Sequence, residues 1–381
     1  MRPTIYLATL VCILLIDGVA AEDRTYTELN AAIDEVFAGI RVDRQPGCVA
    51  GVIHNGQYVH KAGYGLANLE YRIPITSRSA FRTGSLSKQF TAMAIAILAE
   101  RGELDLDADV HKYLPELRDY GHEVTVRQMI HHLSGMGDYD PELFRKADGS
   151  EFRFGNEDYW TIEEFYKAVA KVPLIHEPGT QWEYSNLAYF LLSQVVERAS
   201  GKSLRVFAGE EIFGPLGMKS SLFNDNVNQP VTNRTDGYRL MDDGTYEIYM
   251  TNLDWVGDGG VFTTLDDFLA WDRNFYANKL GKGGDDLMAM VTTPHPDAAV
   301  GGDGSIAGAM YAFGMQLGTA HGEPVIGHTG GWVGFSTMYQ RYPDLSLSVV
   351  VFCNSTDVSG SELGDNVAAI AVSTIKNSGK D

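Results

Sequence analysis

The 381-residue sequence holds three cysteines and no Cys-x-x-Cys pair, which excludes a disulfide-scaffold fold and a paired-cysteine zinc site. His-Glu-x-x-His is missing as well. His131 and His132 are adjacent rather than one helical turn apart, so no metal and no other cofactor is expected. Positive charge is scarce: 30 Lys and Arg stand against 50 Asp and Glu, a formal charge of -20. Such a surface repels phosphate backbones and argues against nucleic acid as a partner. The acids are scattered, a pattern that serves solubility. Gly-x-Ser-x-Gly, the elbow of α/β-hydrolases, is absent, and Gly63-Tyr-Gly-Leu-Ala-Asn68 lacks the third glycine of a dinucleotide fingerprint. Repeats and low-complexity blocks are absent too.

The one long apolar run, Ile5 to Ile16, is too short to span a bilayer comfortably. Arg2 before it and Val19-Ala20-Ala21 after it read as a secretory leader over residues 1–21, interrupted unusually by Asp17. Val11 precedes Cys12 where a lipid-attachment motif needs a small residue. The expected mature chain, 22–381, is therefore periplasmic or secreted, with no stable membrane insertion after leader cleavage. It keeps Cys48 and Cys353, both in strand-like apolar runs, which read as two buried thiols rather than a bridge.

Along the chain, Leu29, Ile33, Val36, Phe37 and Ile40 recur with a helical period over 26–40. Cys48–His54 and Gln57–Ala62 flank Asn55-Gly56, a hairpin signature. Ser85–Arg101 is apolar on all sides after Lys88, as a buried helix is, and Gly102 ends it. Further helices are expected over Val126–Leu133 and Leu187–Ala199, after the capping box Thr264–Asp267, and around Val367–Ile375. Strands are expected over Val333–Gln340 and Leu345–Cys353. Strands at both ends with helices between imply a mixed α/β lobe with one mainly antiparallel sheet (about 22–102 and 251–381). A helical lobe (about 103–250) is inserted in it, and a substrate cleft runs between the two.

Three short stretches carry chemistry. In Phe81-Arg-Thr-Gly-Ser-Leu-Ser-Lys-Gln-Phe90, Ser85 sits at a helix start and Lys88 one turn on, so hydroxyl and amine share a face. A serine needs a base, and lysine becomes one when burial lowers its pKa. Ser373-Thr-Ile-Lys376 has the same spacing but no buried helix after it, and reads as surface. Tyr184-Ser185-Asn186 precedes the helix from Leu187. A tyrosine beside an ammonium can pass protons, and an asparagine amide can hold a carbonyl. Tyr276-Ala-Asn278 is its packing look-alike. His328-Thr329-Gly330-Gly331 leads into the strand from Val333. Its glycines allow close approach of backbone to substrate, and His328 adds a polar edge, cationic when protonated.

Ser85-Leu-Ser-Lys88, Tyr184-Ser-Asn186 and His328-Thr-Gly330, in that order, resemble the signature of the penicillin-recognising serine hydrolases. The similarity is to the branch of class C β-lactamases, D-alanyl-D-alanine carboxypeptidases, D-aminopeptidases and related esterases. Gly63-Tyr-Gly-Leu, His132-Leu-Ser-Gly-Met136, Pro178-Gly179, Pro215-Leu-Gly-Met218 and Gly259-Gly260 add to it, over about residues 26–375. The resemblance implies a β-lactamase/transpeptidase-like fold and an acyl-enzyme on Ser85, with Lys88 and Tyr184 exchanging protons. Asn186, His328, Thr329 and Gly330 would bind substrate, and the Ser85 and Gly331 N–H groups would form an oxyanion hole. Which of Lys88 and Tyr184 is the acylation base stays open. Histidine at 328, where β-lactamases of this kind commonly have lysine, shifts the expected small-molecule or peptide substrate toward peptides or esters, and the expected reaction is cleavage of an amide in a D-amino-acid peptide, carboxypeptidase- or aminopeptidase-like. An esterase or β-lactamase is the alternative within enzymes, and a penicillin-binding sensor without turnover the alternative outside them. The sequence specifies no oligomeric state.

Overall fold

The sheet that carries the chain is built from its two ends. The computed structural model describes residues 25–139, 158–301 and 305–378; the expected leader lies outside them. Strands β1 (Cys48–His54) and β2 (Gln57–Tyr64) come from the N-terminal part. Strands β3 (Ala307–Tyr311), β4 (Gln316–Ala320), β5 (Glu323–Trp332), β6 (Phe335–Tyr342) and β7 (Leu347–Cys353) form a C-terminal meander. They pair antiparallel in the order β3-β4-β5-β6-β7-β1-β2. The β1–β2 hairpin turns on Asn55 (φ 52°) and Gly56 (φ 71°), both left-handed as a two-residue turn that matches strand twist requires.

Both faces of this sheet are buried, and side chains sort between them with the period of two that a pleated strand imposes. Val49 and Ile53 of β1 and Val350 and Phe352 of β7 face one core with helix α2 (Lys88–Arg101) and helix α4 (Leu265–Asn274). Cys48, Ala50 and Val52 with Val349 and Val351 face the other. That core is closed by helix α1 (25–36) and helix α5 (Gly360–Ser378) through Leu29, Ile33, Val367 and Ala371. Each such side chain contributes roughly 1.5–3 kcal/mol when fully withdrawn from water, so two filled faces hold the ends of the chain together. Ser373 and Lys376 are exposed on α5, and Lys376 pairs with Glu323.

Helix α2 is buried from Lys88 to Leu98 and ends on Gly102 (φ 75°) in the left-handed conformation. It packs on one side against helix α3 (Asn186–Ser200), which is capped by the Ser185 hydroxyl and ended by Gly201. On the other side Trp271 of α4 donates its Nε1–H to Gln89 at 3.0 Å. Asp272 of α4, also buried, accepts from Tyr339 at 2.7 Å and Ser348 at 2.6 Å, which locks that helix to the sheet. The expected helix from Val126 stops at Ile130, capped by Thr125 and Gln128. Among the described residues, no helix is long and apolar enough to cross a membrane.

Two expectations are corrected. Cys48 and Cys353 are not separate thiols but a disulfide. They stand opposite each other in the β1–β7 register, a neighbourhood that apolar runs 305 residues apart do not reveal. His328–Gly331 lie not before a strand but inside β5, and the turn falls at Val333-Gly334. Glycine-rich sequence has little strand propensity of its own, so tertiary contact decides here.

The bridge spans 305 residues, for which the chain-entropy account gives about 5–6 kcal/mol and measured bridges typically give about 2–4 kcal/mol. Replacing both cysteines by alanine is expected to lower the thermal midpoint by several degrees, and reductant to lower the native protein but not the variant. Equal melting curves for native and variant would show that the bridge contributes nothing.

Candidate active site

Ser85 lies in a 3-10 turn, Gly84–Ser87, that feeds directly into α2. This turn is held from below by a short strand, Val261–Thr263: Thr83 N–H donates to the Val261 carbonyl at 2.9 Å and Val261 N–H to Ser87 Oγ at 3.0 Å. From above, β5 holds it. Strand β4 pairs with β5 only up to Gly327, and beyond that point the serine turn docks against the open edge. The approach is too close for a side chain: a Cβ on Gly330 would lie 2.1 Å from the Thr83 carbonyl oxygen and 3.2 Å from Ser85 N. At Gly84, φ 53°, a Cβ would lie 2.8 Å from Gly331 N. The amides of Ser85 and Gly331 thereby meet at one seam between turn and strand.

Lys88 is fully buried. Its Nζ lies 3.1 Å from Ser85 Oγ and donates to Asn186 Oδ1 at 2.6 Å and to the Asp258 carbonyl at 2.7 Å. Burial lowers its pKa to about 8, against the opposing pull of Asp258 and Asp138. Roughly one such lysine in ten is then uncharged at pH 7. Asp258 is brought in by a glycine loop, with Gly257 at φ 116° and Gly260 at φ 94°, squeezed so tightly that a Cβ on Gly257 would strike the Tyr189 carbonyl of α3. Burial raises the Asp258 carboxyl above the usual range, opposed by Lys88 and Arg82.

Tyr184 stands just before the Ser185 cap, with its ring 4.9 Å from Lys88 Nζ. Burial raises its phenol pKa, opposed in part by interaction with Ser85, so the hydroxyl keeps its proton at neutral pH. Behind it, the tilted His132 ring lies 4.4 Å away between centroids and accepts the Ser185 N–H at 3.0 Å, which fixes both the ring and the start of α3. Burial holds His132 neutral. His328 is neutral too, its pKa lowered to about 4 chiefly by burial. Its Nδ1–H points at the Thr329 carbonyl, 2.5 Å away, so Nε2 accepts from the Tyr311 hydroxyl at 3.0 Å. The His328 ring is buried and neutral rather than cationic, and it backs Tyr184, at 6.2 Å between centroids. The Thr329 side chain is exposed.

Beside half-buried Ser85 is a cavity of about 30 Å³, walled by Arg82, Asn186, Trp255, Asp258, Gly331 and Trp332. A wider groove of about 440 Å³ continues from Trp332 past Ser336 to Ser355 and Val358. Another, of about 420 Å³, lies away from these residues around Arg273 and Tyr276, the ring of the Tyr-x-Asn look-alike, which stacks on Arg341 at 4.8 Å. Chemistry, not volume, singles out the cleft at Ser85. Asp138, Asp258, Trp255, Tyr311 and His132 belong to this site and were not singled out as site residues from sequence. Gly259-Gly260 and His132-Leu-Ser-Gly-Met136 were the neighbouring phrases that marked their loops.

The chain belongs to the beta-lactamase family, whose model matches residues 33–372. Among curated relatives, a D-aminopeptidase of Cereibacter sphaeroides is 31% identical over 313 residues, 82% of this chain and 57% of that protein. The chain thus spans little more than half the length of that relative. Esterase EstB of Burkholderia gladioli is 35% identical over 206 residues, 51% of this chain and 52% of the esterase. Of solved structures, an octameric penicillin-binding protein homologue from Pyrococcus abyssi superposes with a TM-score of 0.78 at 26% identity. The match covers 91% of this chain and 77% of the homologue.

Since Gly330 permits the seam, Gly330→Ala is expected to push the serine turn off β5 and cut activity about a hundredfold or more. Gly331 has open space at its Cβ position, so Gly331→Ala should melt close to the native protein. A fully active Gly330→Ala enzyme would contradict the close approach.

Proposed function

We propose that the protein is an exported serine hydrolase that cleaves an amide at a D-amino acid, carboxypeptidase- or aminopeptidase-like, through an acyl-enzyme on Ser85. The observation that carries this reading is the 3.1 Å contact of Ser85 Oγ with a lysine whose pKa burial brings to about 8. Uncharged Lys88 keeps its two hydrogens on Asn186 Oδ1 and the Asp258 carbonyl, leaving its lone pair for the Ser85 hydroxyl. Of the two candidate bases Lys88 is the better matched, because Tyr184 is pushed the other way.

Ser85 Oγ attacks the carbonyl carbon as its proton passes to Lys88, and the carbonyl oxygen becomes an oxyanion facing the Ser85 and Gly331 N–H groups. Tyr184 gives its proton to the leaving nitrogen and regains one from Lys88, the C–N bond breaks, and the amine departs. Water then attacks the acyl carbon, yields a proton along the same route, and leaves the acid and the original serine. The remaining Nδ2 hydrogen of Asn186 and the Thr329 side chain hold the substrate, and Gly330 keeps the strand close. His328 supports Tyr184. The groove beyond Trp332 accepts the leaving part.

Export rests on the expected leader over 1–21, and the Cys48–Cys353 bridge suits an oxidising compartment. Ester cleavage by the same steps is the second reading, favoured by the stretch of identity with the esterase.

Intact-mass measurement with a fluorophosphonate is expected to show one adduct on the native protein and none on Ser85→Ala; labelling that survives the substitution overturns the nucleophile. Release of D-alanine from a peptide ending in D-Ala-D-Ala and from a D-alanyl anilide, beside ester and nitrocefin turnover, ranks the substrates. Only the unprotonated lysine is a base, so kcat/KM should climb with pH, bend near 8 and level off above it. A rate that falls from pH 7 to 9 contradicts Lys88 as base.

A further inference from the structure

The cations of this site lie inside the protein. Lys88 faces three oxygens. Arg82 is buried beside Asp258, whose charge partly offsets the effect of burial on the guanidinium. His328 is neutral with both ring nitrogens engaged. A substrate carboxylate would find no exposed cation among the described residues that wall the cavity. One carboxylate, by contrast, is exposed and bonded to Asn186 of the cavity wall. Asp138 is exposed, accepts from Asn186 Nδ2 at 2.9 Å and from the Tyr139 N–H at 2.8 Å, and retains free lone pairs. Asn186 Oδ1 in turn holds Lys88 Nζ at 2.6 Å, so Asp138 lies one amide group away from the lysine that serves the nucleophile. Its charge is felt at both Lys88 and Tyr184.

We propose that Asp138 is a specificity residue that receives a free α-ammonium group on the acyl side of the substrate, so that the enzyme acts on amides and esters of amino acids whose own amine is unblocked. Within the reading above, on which this rests, that selects the aminopeptidase-like form over the carboxypeptidase-like one. An α-ammonium is two bonds from the carbonyl carbon that Ser85 attacks, and Asn186 spans a comparable gap between Lys88 and Asp138. Trp255 and Trp332 wall the same cavity beside Ser85.

The test uses esters, so that it does not depend on amide cleavage. Alanine 4-nitrophenyl ester with a free amine is compared with its N-acetyl form, in both enantiomers, for the native enzyme, Asp138→Asn and Asp138→Glu. The readout is the ratio of kcat/KM for the free amine to that for the acetylated ester, after subtraction of spontaneous hydrolysis. The native ratio is expected to exceed one clearly, to fall about ten- to a hundredfold in Asp138→Asn, and to be largely kept in Asp138→Glu. A native ratio near one overturns the inference. So does a ratio unchanged in Asp138→Asn while both rates drop, because Asp138 would then merely hold Asn186. Esters cleaved with the expected ratios but anilides left intact would sink the amidase reading and leave the ammonium site standing. Loss of all ester cleavage in the native enzyme sinks both.

Discussion

Lys88 Nζ is taken out of water in the heart of the chain and met there by three oxygens from three separate stretches: Ser85, Asn186 and Asp258. Burying an amine costs several kcal/mol unless it is well partnered or loses its proton. This site does both in part, which is why its pKa falls to about 8 rather than further. The rest of the molecule supplies that environment. Helix α2 has to be buried all round to desolvate its first residue, and so it needs α3, α4 and the sheet on its sides. The glycine loop before Val261 has to pass close to α3 to deliver a carbonyl.

The same economy of space places β5. A sheet normally continues by adding strands, yet here β4 stops pairing at Gly327 and the serine turn takes over the edge. Only glycine at 330 allows the backbones to come so near. The serine turn thereby brings the backbone of Ser85 up against that of Gly330 and Gly331. Behind this seam sits a layer of neutral rings, Tyr184, His132, Tyr311 and His328, each kept uncharged by burial. Uncharged neighbours matter, because a second cation this close to Lys88 would push its pKa lower still.

Much of this was legible in the sequence. Order and spacing marked Ser85, Lys88, Tyr184, Asn186 and His328–Gly331, because helix starts, caps and glycine pairs are local features. The hairpin followed from strand-like runs on either side of Asn55-Gly56, and the single sheet from strand signals at both ends of the chain. The disulfide was not legible: Cys48 and Cys353 become neighbours only when β1 pairs with β7. Nor was the strand at 328–331, since glycines carry no alternation to read. Asp138 and Asp258 looked like two of many scattered acids, and only the folded chain separates the exposed one from the buried one.

What the sequence determined by itself was chemistry held within one turn: a hydroxyl and an amine on one helical face, a phenol before a helix cap, a glycine pair. Tertiary structure alone decided the charge states, because these depend on how much water is removed and which distant groups replace it. That is why His328, open to either form as a sequence letter, is neutral in the fold, and why Lys88 titrates near 8.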